Sequence, residues 1–222
     1  MDSFKCVYKG GIGEIEEKKS RFIATVKAVE SEDEAAAFIN EIKKQYWDAR
    51  HNCSAFVIGE NAQLTRCSDD GEPAGTAGRP MLELLLNEGI RNVAVVVTRY
   101  FGGTLLGTGG LIRAYQAAVK AGLNNSVIIQ KEHGIRLSVK SDYNGIGRLQ
   151  YLFSKEGYPV LSTDYGSDVI AELIVPLSKK DEAIKEMTKA SNGRSDISIG
   201  DECIYALAGE DIICHDPLPR LT

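Results

Sequence analysis

Apolar and polar positions in the first half of the chain alternate between the spacing of strands and that of helices. Residues 4–29 contain two strand-like runs around the turn-forming KGGIG, and a helical apolar stripe follows in residues 31–46. Ser31 and Glu34 have the spacing of a capping box, which predicts that this helix begins at Ser31. The runs CSAFVIG and AQLTRCSD then predict a hairpin that turns at residues 59–61.

Two further helices and a buried strand are predicted between residues 79 and 122. The segment RPMLELLLNEG has Pro80 at the first helical position and Gly89 where the helix stops. NVAVVVT is a continuous β-branched run, which is typical of a strand covered on both faces. A glycine-rich loop separates this strand from LIRAYQAAVKAG, a helix that ends near Gly122.

The second half of the chain begins a new pattern. HGIRLSVKS predicts a strand, and residues 142–157 predict a helix that Asp142 caps. The region around residues 165–167 then predicts a pair of strands. Residues 178–193 predict a second capped helix, and SDISIGDE predicts a last strand. This β-α-β-β-α-β order is the ferredoxin-like pattern. We therefore predict an N-terminal domain at 1–130, a C-terminal domain at 131–205, and a tail at 206–222 that is loosely ordered or adds a strand to a sheet edge.

Composition narrows the class of protein. The chain has 222 residues, 43% of them hydrophobic, and a net charge of -5. No membrane span or signal-peptide pattern is visible, which predicts a cytoplasmic protein that does not bind membranes. The five cysteines form no C-x-x-C pair, so reduced thiols are expected rather than disulfides or a structural zinc. The acidic balance means that any nucleic-acid binding must come from a local patch.

Two glycine-rich loops each leave a strand or turn and open a helix, an arrangement that lets backbone N–H groups approach an anion. AGTAGRP places Arg79 at one helix start, and TRYFGGTLLGTGGLIRAY places Arg99 before the loop and Arg113 in the first turn of the next helix. Guanidinium groups match phosphate oxygens bidentately, so convergence of these three arginines would favour a phosphate or a nucleic-acid backbone as the ligand.

A purely structural interpretation of the same loops stays open. Glycine-rich turns often only fold the chain tightly, and an arginine at a helix start often pairs with a nearby carboxylate such as Asp69, Asp70 or Glu72. The segment GTGGLI lacks the third glycine of G-x-G-x-x-G, and the chain contains no G-x-x-x-x-G-K-[ST] motif. No nucleotide cofactor is therefore predicted.

Two further groups of residues have the composition of a site. His51 and Cys53 would share one face of a strand, which permits a hydrogen-bonding or ligand-binding histidine, or less commonly a catalytic pair, while Cys53 alone is typical of a small buried side chain. Asp69, Asp70 and Glu72 could bind magnesium, although Asp-Asp-Gly is equally a common turn.

Taken together, the stretches KKSRFIATV, DARHNCSAFVIG, SDDGEPAGTAGRPML and VVVTRYFGGTLLGTGGLIRAY resemble the IMPACT family, in particular its bacterial YigZ-type members. The resemblance implies an α+β chain with an N-terminal ribosomal protein S5 domain 2-like α/β domain, a fold shared with elongation factor G domain IV and GHMP kinases. It also implies a ferredoxin-like C-terminal domain similar to elongation factor G domain V. Eukaryotic members regulate translation through the pathway of an eIF2-alpha kinase.

The leading functional hypothesis is a non-enzymatic protein that binds RNA or a ribosomal site. The residues predicted to serve it are Arg79, Arg99 and Arg113 as phosphate contacts, Gly102, Gly103, Gly107, Gly109 and Gly110 as points of close backbone approach, and His51, Tyr100 and Thr104 as positioning or stacking groups, with Arg21 as an additional candidate. The alternatives are an enzyme or binder of phosphorylated small molecules or nucleotides, which would use the acidic trio, and a protein-protein adaptor in translation control that binds its partner through the ferredoxin-like sheet or the tail. The oligomeric state is not predicted.

Overall fold

The computed structural model describes residues 3–209 and 211–215, and the chain divides into two compact units at Gln130 and Lys131. The first unit contains β1 (Ser3–Lys9), β2 (Ile12–Glu17), β3 (Ser20–Ala28), α1 (Glu32–Gln45), β4 (His51–Ile58), β5 (Leu64–Ser68), α2 (Gly78–Asn87), β6 (Ile90–Arg91), β7 (Val93–Tyr100) and α3 (Thr108–Asn124). The strand β8 (Val127–Ser141) continues into the second unit, which contains α4 (Ile146–Glu156), β9 (Val160–Tyr165), β10 (Val169–Pro176), a short 3-10 turn (Leu177–Lys179), α5 (Lys180–Ala190), β11 (Asp196–Ala208) and β12 (Asp211–His215).

An antiparallel sheet in the order β2-β3-β7-β4-β5 forms the framework of the first unit. Its central strand β7 is covered on both faces, as the continuous β-branched run predicts. Val93, Val95 and Val97 pack with α2 and α3, whereas Ala94 and Val96 pack with α1. Residues of β7 with odd numbers therefore face α2 and α3, and this alternation decides on which face each later side chain lies.

The helix α1 begins as its capping signal predicts, because Ser31 Oγ accepts a hydrogen bond from the amide of Glu34 at 3.2 Å. The start of α2 differs from the prediction. The helix begins at Gly78, so Pro80 is its third residue, and the amides of Ala77 and Gly78 donate to the Asp69 carboxylate. A carboxylate brought from a distant loop, which the local sequence does not reveal, sets this helix start.

The N-terminal region has more strands than the two predicted runs. The strand β1 pairs in parallel with β6, with Lys5 opposite Ile90, and KGGIG joins β1 to β2 rather than forming a hairpin turn between partners. A second turn, unmarked by any glycine, asparagine or aspartate, lies at Lys18 and Lys19 between β2 and β3.

The second unit has the predicted ferredoxin-like arrangement. Its strands lie in the order β11-β8-β10-β9, all antiparallel, and its core is formed by α4 and α5 against Leu137, Val139 and Leu173 of the sheet. With the α/β first unit, this confirms the predicted α+β fold class. No helix in the described part of the chain is long and apolar enough to cross a bilayer.

Two local predictions for the second unit need correction, and one of the two alternatives for the tail is observed. The carboxylate of Asp142 accepts from the Gly145 amide in the turn before α4, which itself starts only at Ile146. No side chain caps the start of α5, because the 3-10 turn precedes it directly. Within the predicted tail, residues 206–208 are the end of β11, and residues 211–215 form β12, which adds to the sheet beside it as the second alternative predicts. Residues 210 and 216–222 lie outside the described residues.

Candidate functional site

The glycine-rich loop at residues 101–107 follows β7 and leads into α3. Gly102 lies directly against the β2–β3 hairpin, since a Cβ atom on it would stand 2.0 Å from the carbonyl carbon and oxygen of Lys19. Its amide donates to Ser20 Oγ at 3.1 Å. Only glycine permits this approach of two backbones. The loop is therefore fixed to the hairpin by direct contact.

The start of α3 exposes amide groups that no neighbouring side chain caps. Its N-cap is Gly107, which has a φ of 73° and offers no side-chain acceptor, and the first turn carries no acidic residue. The start of α2 contrasts with it, because Asp69 already accepts from the amides of Gly75, Ala77 and Gly78. Of these two helix starts, α3 is the one suited to an anion.

The remaining predicted residues of the loop and first turn are near this helix start. Gly103 and Thr104 are exposed in the loop, and Gly110 packs close to Leu106. Arg113 is the sixth residue of α3 rather than a first-turn residue. Its Nη1 atom nevertheless lies 3.6 Å from the place where a Cβ atom of Gly109 would stand, so its exposed guanidinium extends back over the first turn.

Arg99 is not available as a phosphate contact. Its side chain is only 7% exposed, and its Nη1 atom donates to Glu72 Oε1 at 2.6 Å, with Glu72 itself 3% exposed. The guanidinium also lies over the rings of Phe22 and Phe101, at 5.4 and 5.6 Å from their centroids. Arg99 therefore belongs to the supporting structure beneath the loop, because burial and pairing with Glu72 hold it in place.

The contacts of Arg79 and Arg99 do not support the predicted convergence of Arg79, Arg99 and Arg113 on one ligand. Arg79 is 69% exposed and pairs with Glu83 one turn further along α2, at 2.7 Å. Arg21 is held by Glu14, whose carboxylate accepts from its Nε and Nη2 atoms at 2.6 and 2.8 Å. These hydrogen bonds lower the pKa of Glu14.

The acidic trio has three separate structural partners. Asp69 accepts from the amides at the start of α2, as described above. Asp70 accepts from Lys43 Nζ at 2.6 Å and from the amide of Asn52 at 2.7 Å, and Glu72 is paired with Arg99. Among residues 3–209 and 211–215, no cluster of three or more His, Cys, Asp or Glu side chains is arranged to hold a metal ion. The trio therefore does not form the magnesium site considered above.

His51 and Cys53 share a face of β4, as the strand spacing predicts, but they do not form a reactive pair. His51 Nδ1 lies 2.9 Å from the carbonyl oxygen of Asp70, to which it donates in the tautomer protonated at Nδ1. Cys53 is fully buried, and its Sγ donates to the Asp69 carbonyl at 2.9 Å. Burial raises the pKa of its thiol from 9.0 to about 12, so the sulfur stays protonated at neutral pH and is not a nucleophile.

Tyr115 connects these buried groups. Its hydroxyl donates to Glu72 Oε1 at 2.9 Å and lies 3.3 Å from Cys53 Sγ, and burial strongly raises its pKa. The resulting network joins β4, the 69–76 loop, β7 and α3. Tyr100 lies on the opposite face of the sheet, where its hydroxyl donates to Asp48 at 2.8 Å. Burial, followed by this hydrogen bond, raises the pKa of Tyr100.

Sequence reasoning missed the two lysines of the β2–β3 turn. Lys18 and Lys19 have φ values of 47° and 66°, and Glu17 pairs with Ser20, which makes this a two-residue type I′ turn. Both lysines are exposed, and the Lys19 backbone is the group that Gly102 contacts. The one sequence signal for this turn is in the motif KKSRF, where two adjacent lysines separate two strand patterns.

Replacing these lysines with the residues that favour such a turn should stabilise the hairpin. Left-handed backbone costs a residue other than glycine about 1–2 kcal/mol. We expect the Lys18→Asn/Lys19→Gly variant to raise the free energy of unfolding of the first unit by about 1 kcal/mol. Urea denaturation followed by circular dichroism measures this change. An unchanged or lower stability would show that the lysine side chains themselves stabilise the turn.

The fold and this loop surface together define a two-domain α+β protein whose first domain has a basic hairpin packed on a glycine-rich loop. Residues 18–123 match the Impact N-terminal domain, and residues 139–194 match a domain of unknown function, DUF1949. The chain belongs to the IMPACT family, which confirms the resemblance proposed from its motifs.

Similar proteins cover most of the chain. The IMPACT family member YvyE of Bacillus subtilis (strain 168) is 41% identical over 201 residues, which are 90% of this chain and 93% of that protein. The IMPACT family member YigZ of Escherichia coli (strain K12) is 35% identical over 178 residues, 79% of this chain and 87% of that protein. A solved structure described only as a hypothetical protein aligns with 89% of this chain and 97% of its own, at 33% identity and a TM-score of 0.57.

Proposed function

We propose that the first unit binds the phosphate backbone of RNA, either as a free strand or within the ribosome, and that the protein acts in translational control in the cytoplasm without catalysing a reaction. The observation that carries the proposal is the contact between Gly102 and the Lys19 backbone, which fixes the Lys18–Lys19 turn beside the glycine-rich loop. Two exposed ammonium groups therefore flank the loop that leads into the uncapped start of α3.

The chemistry of this surface suits phosphate. Uncapped amides at a helix start and the positive end of the helix dipole favour an anion, and Arg113 extends its guanidinium over the same first turn. A net charge of -5 makes general attraction to nucleic acid weak, so binding must depend on these few local cations. The roles proposed for the arginines change accordingly: Arg113 contacts phosphate directly, whereas Arg99 supports the loop from beneath.

The surface of the second unit argues for placing the binding site in the first. Ser138 pairs with Glu172 and with Ser198 in the middle of the sheet face that the helices leave open. The two cations of β8 on this face already have partners, Arg136 with Cys214 Sγ at 3.4 Å and Lys140 with Asp168 at 3.1 Å, and Glu172 adds a negative charge. These positions therefore attract RNA phosphates less than the exposed Lys18–Lys19 turn does. We therefore assign binding to residues 1–130, and the ferredoxin-like region at 131–205 remains available for a protein partner.

The proposed role in translation is based on membership of the IMPACT family. The resemblance described above implies that eukaryotic members regulate translation, and a surface for RNA phosphates gives this chain a physical means of contacting the ribosome. Family membership supports the cellular role, and the geometry of the hairpin and loop supports the kind of ligand.

Removing the two turn charges should weaken RNA binding. We expect Lys18→Gln/Lys19→Gln to lower the affinity for single-stranded RNA and to reduce the slope of log K against log salt by about 0.7 for each phosphate that is no longer neutralised. Fluorescence anisotropy across a salt series measures both quantities. Ribosome co-sedimentation with the same variant tests whether the surface is used in the assembled particle.

A matched control separates a local surface from total charge. The Lys44→Gln/Lys120→Gln variant removes two exposed lysines elsewhere in the first unit and should leave the salt slope unchanged. Glu17→Gln, which removes a negative charge beside the turn, should strengthen binding. Equal losses in the two lysine pairs, or no binding of RNA or ribosomes by the wild type, would refute the proposed function.

A further inference from the structure

The Phe101 side chain is the most exposed member of a series of aromatic and cation–π contacts that begins in the core of the first unit. Tyr115 contacts the ring of Phe22 edge to face, with ring centroids 5.2 Å apart, and both side chains are fully buried. The guanidinium of Arg99 lies over the rings of both Phe22 and Phe101, 5.4 and 5.6 Å from their centroids. Phe101 is the last group in this series of contacts and is 49% exposed.

The position of Phe101 is fixed from below. The buried ion pair with Glu72 holds the guanidinium of Arg99, and that guanidinium supports the ring by a cation–π contact. A large aromatic side chain that is held in this way while half exposed retains little conformational freedom, so ligand binding costs little additional side-chain entropy. The ring therefore offers a rigid platform at the first position of the glycine-rich loop.

We infer that Phe101 stacks an unpaired base, so that the ligand of this surface is single-stranded RNA rather than a duplex. This inference rests on the proposed function, because the Lys18–Lys19 turn and the start of α3 would hold the phosphates on either side of the stacked nucleotide. In a duplex the flat faces of the bases are covered by their neighbours, whereas a single strand presents them to aromatic side chains. A base on Phe101 would lie on a ring that the buried Arg99 guanidinium already holds in place.

The test compares Phe101→Ala and Phe101→Trp with Leu105→Ala as a matched control. Leu105 lies in the same loop and is 82% exposed, but it has no aromatic face. The probes are an oligoadenylate, a sugar-phosphate chain of the same length without bases, and an RNA duplex of the same length. We expect Phe101→Ala to bind the oligoadenylate about tenfold more weakly, with the salt slope unchanged, and to bind the other two probes as the wild type does. Phe101→Trp should keep the affinity, and Leu105→Ala should change it little.

A spectroscopic measurement reports stacking directly. Trp47 is the single tryptophan of the chain and is 83% exposed, so Trp47→Phe combined with Phe101→Trp leaves one tryptophan at the platform. Its fluorescence should be quenched by the oligoadenylate and not by the chain that lacks bases. Thermal unfolding of each variant by circular dichroism confirms that the protein stays folded.

The outcomes separate this inference from the proposed function. Binding that depends on the turn lysines, but is equal for oligoadenylate, the chain without bases and duplex, keeps the proposed function and overturns the stacking role. The stacking role is also overturned if Phe101→Ala weakens the binding of all probes alike or if the tryptophan at 101 is not quenched. Failure of the wild type to bind any nucleic acid or ribosome overturns both.

Discussion

Glu72→Gln is expected to lower the free energy of unfolding of the first unit by about 3 kcal/mol, since removing one partner of a buried ion pair leaves the other charge uncompensated. Glu72 accepts hydrogen bonds from both Arg99 and Tyr115, and no more than 7% of either ionic side chain is exposed. Glutamine keeps the shape and one acceptor oxygen but removes the charge, so the guanidinium of Arg99 would remain buried without a counter-ion.

The thiol of Cys53 provides a measurement confined to this unit. Because Cys53 is fully buried and its pKa is raised to about 12, it reacts with a thiol reagent only when the first unit opens. Labelling across a urea series, read peptide by peptide, gives the stability of the unit. The exposed Cys67 should react in the folded protein and shows that the reagent is active.

An apolar replacement of the whole network is the control for this prediction. The Glu72→Leu/Arg99→Met/Tyr115→Phe variant removes both charges and the hydroxyl together, and it should recover most of the stability that Glu72→Gln removes. The triple variant should still bind the oligoadenylate less well than the wild type, because Phe101 loses the guanidinium beneath it. An equally unstable triple variant would show that packing, and not the uncompensated charge, causes the loss.

The sequence predicts the fold well where its signals are local. The capping box at Ser31, the β-branched run of β7 and the β-α-β-β-α-β order of the second unit each depend on residues a few positions apart, and each appears in the structure. The predicted start of α2 is wrong because Asp69, nine residues before Gly78, caps the helix across a loop. Spacing rules do not contain that contact.

The candidate site is predictable only in part, and the errors have a common cause. Residue type draws attention to the glycine-rich loop, but it does not distinguish an arginine at the surface from one in a buried pair. Arg99 and Glu72 are 27 residues apart in the chain, and only the packing of the 69–76 loop against β7 joins them. Lys18 and Lys19 are not predicted as site residues because lysine is not typical of the left-handed turn that they occupy. Phe101 likewise becomes a candidate only when its exposure is known.

Gly102→Ala is expected to have the second large effect, because it places a methyl group where the hairpin backbone already lies. A Cβ atom there would stand 2.0 Å from the Lys19 carbonyl and 2.4 Å from the Ser20 nitrogen, and no side-chain rotation can relieve contacts with backbone. We expect a loss of stability of about 3 kcal/mol as the hairpin tip moves away from the loop. Hydrogen exchange at residues 17–20, measured by mass spectrometry, should become faster.

Gly103→Ala is the matched control for this change. Gly103 has a φ of 86°, but a Cβ atom on it would have no neighbour within 4 Å, so the variant carries backbone strain without the collision. It should cost about 1 kcal/mol and leave exchange at the hairpin unchanged. If the Lys18–Lys19 turn binds phosphate only while it is fixed to the loop, Gly102→Ala should also bind RNA more weakly under conditions where it is folded, whereas Gly103→Ala should not. Equal RNA affinity in both variants would mean that the hairpin and the loop bind independently, and the contact at Gly102 would then serve folding alone.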